Sequence, residues 1–253
     1  YSYSLELFSC AEPLDGVTTA WLLAGARRLG CYMAGGILER SGDAAYSTML
    51  LAGPDGSLAS YRRRHPFFWE RGLCKGGDQP QVADTALGRV GMLVGADIAY
   101  DDSATAYQGQ IDLLLLCSTA AVLPEGTVIL PDGRRMPMAR FHPAFAGREA
   151  QLRHDYYAGV GRRAAALGVP VVHAVQCGAF ASPLPAERVS LLHMLRRQPR
   201  QLGLRWSHKR ARVEAEFAGH SAIFDAEGRV LAVQPADDGV VLATCVLPHH
   251  SVL

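Results

Sequence analysis

A chain of 253 residues with 49% apolar content has enough material for one large α/β domain, or two small ones, around a sizeable core. Its 25 basic and 24 acidic residues leave a net charge of +1, and no basic block stands alone, which removes the electrostatic footing for nucleic-acid binding. The longest apolar runs, such as Ile111 to Cys117, are far too short to cross a bilayer, and no charged-then-apolar leader opens the sequence, so a soluble, cytoplasmic protein is expected.

Six cysteines (Cys10, Cys31, Cys74, Cys117, Cys177 and Cys245) lack both a C-x-x-C pair and zinc spacing, and read as reduced thiols. None of the nine histidines falls at metal-binding spacing with another ligand. There is no P-loop, dinucleotide-binding glycine fingerprint, G-x-S-x-G elbow or internal repeat, so neither a metal nor a cofactor is expected. All basic residues except Lys75 and Lys209 are arginine, a bias of composition.

In chain order, Tyr1 to Leu7 reads as the end of a strand. Asp15 to Leu29 has the apolar spacing of an amphipathic helix, with Arg27 and Arg28 on its last turn. Cys31 to Leu38 and Ala45 to Ala52 read as strands, with Gly35-Gly36 marking a close approach of backbone. Gly53-Pro-Asp-Gly56 is a turn with proline preset and glycine free for positive φ, and Ser57 to His65 completes the hairpin. A long loop from Pro66 to Ala83 then carries Glu70, Arg71, Cys74, Lys75 and Asp78 beside the aromatic run Phe67-Phe68-Trp69. Burial of Glu70 behind those rings calls for a cationic partner such as Arg63.

Gly88 to Asp97 is a turn glycine, a short apolar strand, and then small residues ending in a carboxylate. The exit of such a buried strand is where α/β sheets usually place their chemistry, and position 95 there is glycine. A polar helical segment follows around Ser103 to Gln108, then the buried strand Ile111 to Cys117 with Ser118-Thr119 at its exit. Gly126 to Met138 reads as a hairpin around Pro131-Asp-Gly133. Phe145 to Leu167 is the longest helical pattern, and Val171 to Cys177 is the next strand. A helix over Ala186 to Leu195 leads into a solvated basic stretch, Arg196 to Arg205. Gly219 to Gly228, Val230 to Val233 and Val240 to Leu247 close the chain as strands around a turn. Composition and pattern alone give α/β or α+β.

Several of these segments, in this order, resemble the nitrilase superfamily, the carbon–nitrogen hydrolases. The turn Gly53-Pro-Asp-Gly56, the strand Tyr61-Arg-Arg-Arg-His65, the loop Glu70-Arg-Gly72 with Gly77-Asp78, and the entry Asp84-Thr85 into Gly88-Arg-Val-Gly91 are similar to that family's most specific stretch. Gly219-x-Ser221-x-Ile223-x-Asp225-x-x-Gly228 is similar to its late hairpin. The resemblance implies a single domain over 1–253, folded as a four-layer α-β-β-α sandwich and lacking the family's N-terminal strand and helix. It also implies pairing into a homodimer.

By the same resemblance Glu6 matches the general base, Arg63 the catalytic lysine, Gly95 the nucleophilic cysteine and Glu70 a supporting carboxylate, while Asp97 ends the nucleophile motif. Asp97 and Cys117 are the expected ligand contacts. Amide or nitrile hydrolysis on this scaffold needs a thiolate, a carboxylate to relay its proton, and a cation at the oxyanion. Glycine supplies no nucleophile, and arginine is too basic to transfer protons. The expectation is therefore a non-hydrolytic protein that binds a small amide-, carboxylate- or nitrile-like ligand or serves as a partner subunit. The alternative is a rewired enzyme, in which Cys117 attacks or Glu6 activates water beside Arg63.

Overall fold

The computed structural model describes residues 5–66, 68–141, 149–184, 211–235 and 237–248. The expected helix from 186 to 195 and the basic stretch from 196 to 205 lie outside them.

Helix α1 (Val17–Leu29) carries Thr19, Leu22 and Ala26 on its inner face and ends where Gly30 takes a left-handed conformation. It covers a three-stranded antiparallel sheet of β1 (Met33–Ser41), β2 (Ala44–Ala52) and β3 (Leu58–Arg62), in that order. The β2–β3 turn uses Gly56 at φ +90°, the freedom expected of glycine there. Strand β2 is apolar on both faces because both are covered. Leu50 and Ala52 pack under α1 with Leu22, Ala26 and Ile37, whereas Met49 and Leu51 face the other way into the main core.

That core is shared with a six-stranded sheet ordered β13-β12-β9-β6-β5-β4. Strands β5 (Gly88–Val94), β6 (Leu113–Ser118) and β9 (Val171–Val175) run parallel at its centre. Strands β4 (Ala83–Thr85), β12 (Ala222–Phe224) and β13 (Val230–Val233) add antiparallel pairs on the flanks. Leu114 pairs with Gly91 and with Val171, so the apolar run of β6 is buried between two neighbours and two faces. Helix α2 (Glu149–Leu167) covers the far side through Val160, Ala164 and Leu167. The order of layers is helix, sheet, sheet, helix: the α-β-β-α sandwich.

Three expectations need correction. Tyr1 to Leu7 was expected to end a strand, but Leu5–Cys10 is a 3-10 helix. Val240 to Leu247 forms no strand; its alternating apolar pattern is left largely exposed, with Val240 at 82% and Leu242 at 84%. A third sheet also joins the two expected. Its order is β10-β11-β7-β8, built from β7 (Thr127–Ile129), β8 (Arg135–Pro137), β10 (Ala179–Pro183) and β11 (Arg212–Glu216), around Val128, Phe180, Val213 and Phe217. The expected hairpin at 126–138 supplies β7 and β8. Its link to β10 and β11 depends on distant pairing that local pattern does not carry.

Candidate active site

The site forms where β5 and β3 end side by side. Beyond Val94 the chain enters a 3-10 turn, Gly95–Ala99, and Gly95 sits at φ +55°, in the left-handed region that favours glycine. Two residues on, Asp97 is fully buried. Its Oδ2 accepts the Tyr61 hydroxyl at 2.6 Å and the Arg64 amide at 2.9 Å, and its Oδ1 accepts the His65 amide at 2.9 Å. One carboxylate thereby ties the exit of β5 to the exit of β3. Burial, with the Asp97 charge adding to it, pushes the Tyr61 hydroxyl far above its ordinary pKa, so it remains a donor.

The clamp brackets Arg63, holding Tyr61 before it and Arg64 and His65 after it. Arg63 is 6% exposed and Glu70 8%, and their Nη1 and Oε2 atoms are 2.5 Å apart. The long loop returns to deliver Glu70: the Gly77 amide donates to the Arg63 carbonyl and the Lys75 amide to the Ala45 carbonyl. A Cβ on Gly95 would stand 3.4 Å from both Cζ and Nη2 of Arg63, so the guanidinium faces the side from which a side chain at 95 would project. Arg63 offers donors and permanent positive charge, and Glu70 offers an acceptor already engaged with it.

The remaining predicted residues lie elsewhere. Glu6 is exposed on the 3-10 turn Leu5–Cys10, an environment unlike the buried Arg63–Glu70 pair. Cys117 lines an apolar cavity of about 320 Å³ between the sheets, together with Tyr32, Met49, Leu51, Leu115 and Val172, and burial raises its thiol pKa. Arg63, Glu70 and Gly95 do not line that cavity. Asp97, expected as a ligand contact, has both carboxylate oxygens engaged by protein donors and acts here as a fastener.

Cys74 was not singled out by sequence. Its amide donates to the Glu70 carbonyl at 2.7 Å, and burial pushes its thiol up to about 12, with Glu70 adding to the rise and Arg63 opposing it. The signal was its place four residues after Glu70 in the same loop. Arg163 of α2 was missed as well. It donates to the carbonyls of Ile98 and Ala99 and pairs with Asp101, bracing the elbow from the far side of the sheet. On the rim, His65 stacks on Tyr100 at 3.9 Å between centroids and lies 3.2 Å from Asp102.

A four-layer sandwich with a braced elbow between its sheets defines a protein of the carbon–nitrogen hydrolase class. The carbon-nitrogen hydrolase family model matches residues 1–249, and the chain belongs to that family, the nitrilase superfamily. A nitrilase of Pyrococcus abyssi is 33% identical over 101 residues, 39% of this chain and 38% of that protein. A chloroplastic omega-amidase of Arabidopsis thaliana is 34% identical over 132 residues, 48% of this chain and 34% of that protein. The chain thus spans little more than a third of the length of these relatives. Among solved structures, a carbon-nitrogen hydrolase from Helicobacter pylori superposes with a TM-score of 0.69 at 17% identity, covering 97% of this chain and 74% of that one. An amidase from Nesterenkonia in complex with butyramide gives 0.62 at 16% identity, covering 95% and 71%. These likenesses establish the fold.

Among the described residues no group of three or more His, Cys, Asp or Glu side chains stands where it would hold a metal ion, and no helix is long and apolar enough to cross a membrane.

Proposed function

We propose that this chain is a non-hydrolytic member of its family, in which Arg63 and Glu70 beside Gly95 hold a small amide-, carboxylate- or nitrile-like ligand without cleaving it. The observation that carries this reading is the 3.4 Å approach of the Arg63 guanidinium to the Cβ position of a glycine. On the resemblance of residues 61–65 and 88–97 to the family's motifs, that glycine stands where the attacking sulfur belongs and Arg63 where the lysine belongs. A guanidinium remains charged throughout the accessible pH range, so it holds a carbonyl or carboxylate oxygen but does not relay a proton. Loss of a nucleophile costs many orders of magnitude in rate, so hydrolysis by the ordinary route is not expected.

The similarity to a nitrilase and an omega-amidase favours a second reading in which the chain hydrolyses carbon–nitrogen bonds with another attacking group. Cys117 or water activated by Glu6 would then serve. Against it stand the raised pKa of the Cys117 thiol and the exposure of Glu6. A panel of small amides, carboxylates and nitriles, followed in parallel by calorimetric binding and by product release, separates the two. The proposal expects binding that Arg63→Met abolishes and no turnover. Turnover lost in Cys117→Ser or Glu6→Gln establishes the second reading instead.

A further inference from the structure

The inter-sheet cavity of about 320 Å³ has no part in the site built on Arg63, and among the described residues no charged side chain lines it. Its floor is Val90 of β5, Leu113 and Leu115 of β6 and Val172 of β9, and its roof is Met49 and Leu51 of β2. Small residues create the space. Gly36 of β1 lies so near the larger sheet that a Cβ on it would meet Cys117 Sγ at 3.5 Å, and Ala34 and Ala174 line the cavity from β1 and β9. Both alanines are exposed, so the cavity opens to solvent between those two strands.

Volume and lining together define what fits. An apolar cavity of about 150 Å³ stays dry and takes benzene, so one of about twice that volume has room for two fused rings. An ionised ligand would lose its hydration and gain no counter-charge, which excludes carboxylates and ammonium ions. The Cys117 thiol adds no charge either, because burial raises its pKa and keeps it protonated. One polar group remains. The Tyr32 hydroxyl accepts the Ala86 amide at 2.9 Å, and its own proton has no acceptor among the described residues. A half-buried donor of this kind favours a ligand with one acceptor to give it.

We propose that this cavity binds a neutral, fused-ring aromatic molecule, its rings held between the two sheets against Cys117 and a single acceptor on it taking the Tyr32 hydroxyl proton. Arg63, Glu70 and Gly95 do not line the cavity, so the site stands whichever reading of the Arg63 site holds.

Naphthalene and quinoline test it, since they share a shape and differ by one ring nitrogen. Each is titrated against the full chain by the rise in thermal midpoint and by protection of Cys117 from alkylation, with mass spectrometry locating the label. Both are expected to bind and to slow labelling of Cys117, quinoline about three- to tenfold more tightly, the share of one hydrogen bond. Tyr32→Phe should bring quinoline down to the affinity of naphthalene. Ala174→Phe should fill the mouth and abolish protection by both probes; Ala34→Leu does the same from the opposite wall, and circular dichroism confirms that each variant folds. Naphthoate, with the same rings and a charge, should not bind. Failure of both probes to protect Cys117 overturns the proposal, the space then being closed in solution by the protein's own chain or by a partner. So does binding indifferent to both alanine variants, naphthoate binding as tight as that of naphthalene, or a quinoline affinity unchanged in Tyr32→Phe.

Discussion

The guanidinium carbon of Arg63 lies 3.4 Å from the point where a Cβ on Gly95 would stand, and the two residues fill one space between them. The smallest side chain at the elbow accompanies a bulky planar cation at the end of β3. The two positions are therefore best altered together.

Gly95→Ala is expected to fold and to lose about 1 kcal/mol, because a Cβ meets Arg63 at ordinary contact distance while the left-handed backbone strains any L residue. Chemical denaturation measures this. Gly95→Cys with Arg63→Lys should be better tolerated than Gly95→Cys alone, since the ammonium head is smaller than the guanidinium. Equal losses in the two variants would contradict the shared-space account.

Glu70→Gln removes the counter-charge 2.5 Å from Arg63 while both groups remain almost wholly buried. A loss of about 3 kcal/mol is expected from breaking such a pair on one side. Glu70→Gln combined with Arg63→Met should cost less than Glu70→Gln alone, which a thermodynamic cycle reads directly.

Asp97→Ala deprives one hydroxyl and two backbone amides of their acceptor and is expected to cost about 3–5 kcal/mol, whereas Tyr61→Phe removes one donor for about 1–2 kcal/mol. Both should loosen Arg63, so ligand affinity at the proposed site falls in both variants. Retained stability in Asp97→Ala would remove its fastening role.

The resemblance of residues 61–65 and 88–97 to the family's motifs is what groups Arg63, Gly95 and Asp97, and the structure sets the ends of β3 and β5 side by side. The helix from 149 to 167, the β2–β3 hairpin and the buried strand β6 were also legible from period and turn chemistry. What Asp97 does was not legible. Its three partners come from residues 61–65, and nothing in the local pattern of 95–97 names them. Cys74 stayed hidden for a related reason, since only the return of the loop onto Arg63 gives it its environment. The exposure of Glu6 follows from a 3-10 turn where alternation promised a strand, a local choice that periodicity over a few residues does not decide.

Thiol chemistry should follow burial. Cys10 and Cys31 are exposed and should alkylate first at pH 8, while Cys74, pushed up to about 12, stays protonated and slow. As pH rises past the ordinary thiol range, the unfolded chain ionises at Cys74 before the folded one does. Stability due to this group is therefore whole below about pH 9 and declines toward about pH 12. Mass spectrometry of timed alkylation checks the order, and Cys74→Ala should flatten the alkaline decline.

His173 gives the opposite limb. It is buried with Nε2 2.9 Å from Ser118 Oγ, and burial lowers its pKa to about 3. Above about pH 6.5 neither state binds the proton; below it the unfolded chain does and the folded one does not. Stability should fall by about 1.4 kcal/mol per pH unit from this group as pH drops toward about 3. Denaturant midpoints at pH 7 and pH 5 should converge in His173→Leu/Ser118→Ala.

The most direct test is ammonia release by the purified chain from butyramide and from a matching nitrile, followed alongside calorimetric binding of the same compounds. The account predicts binding that depends on Arg63, with no ammonia above the uncatalysed background. Sustained release that disappears in Arg63→Met would contradict it, because the site would then be cleaving what it is proposed only to hold.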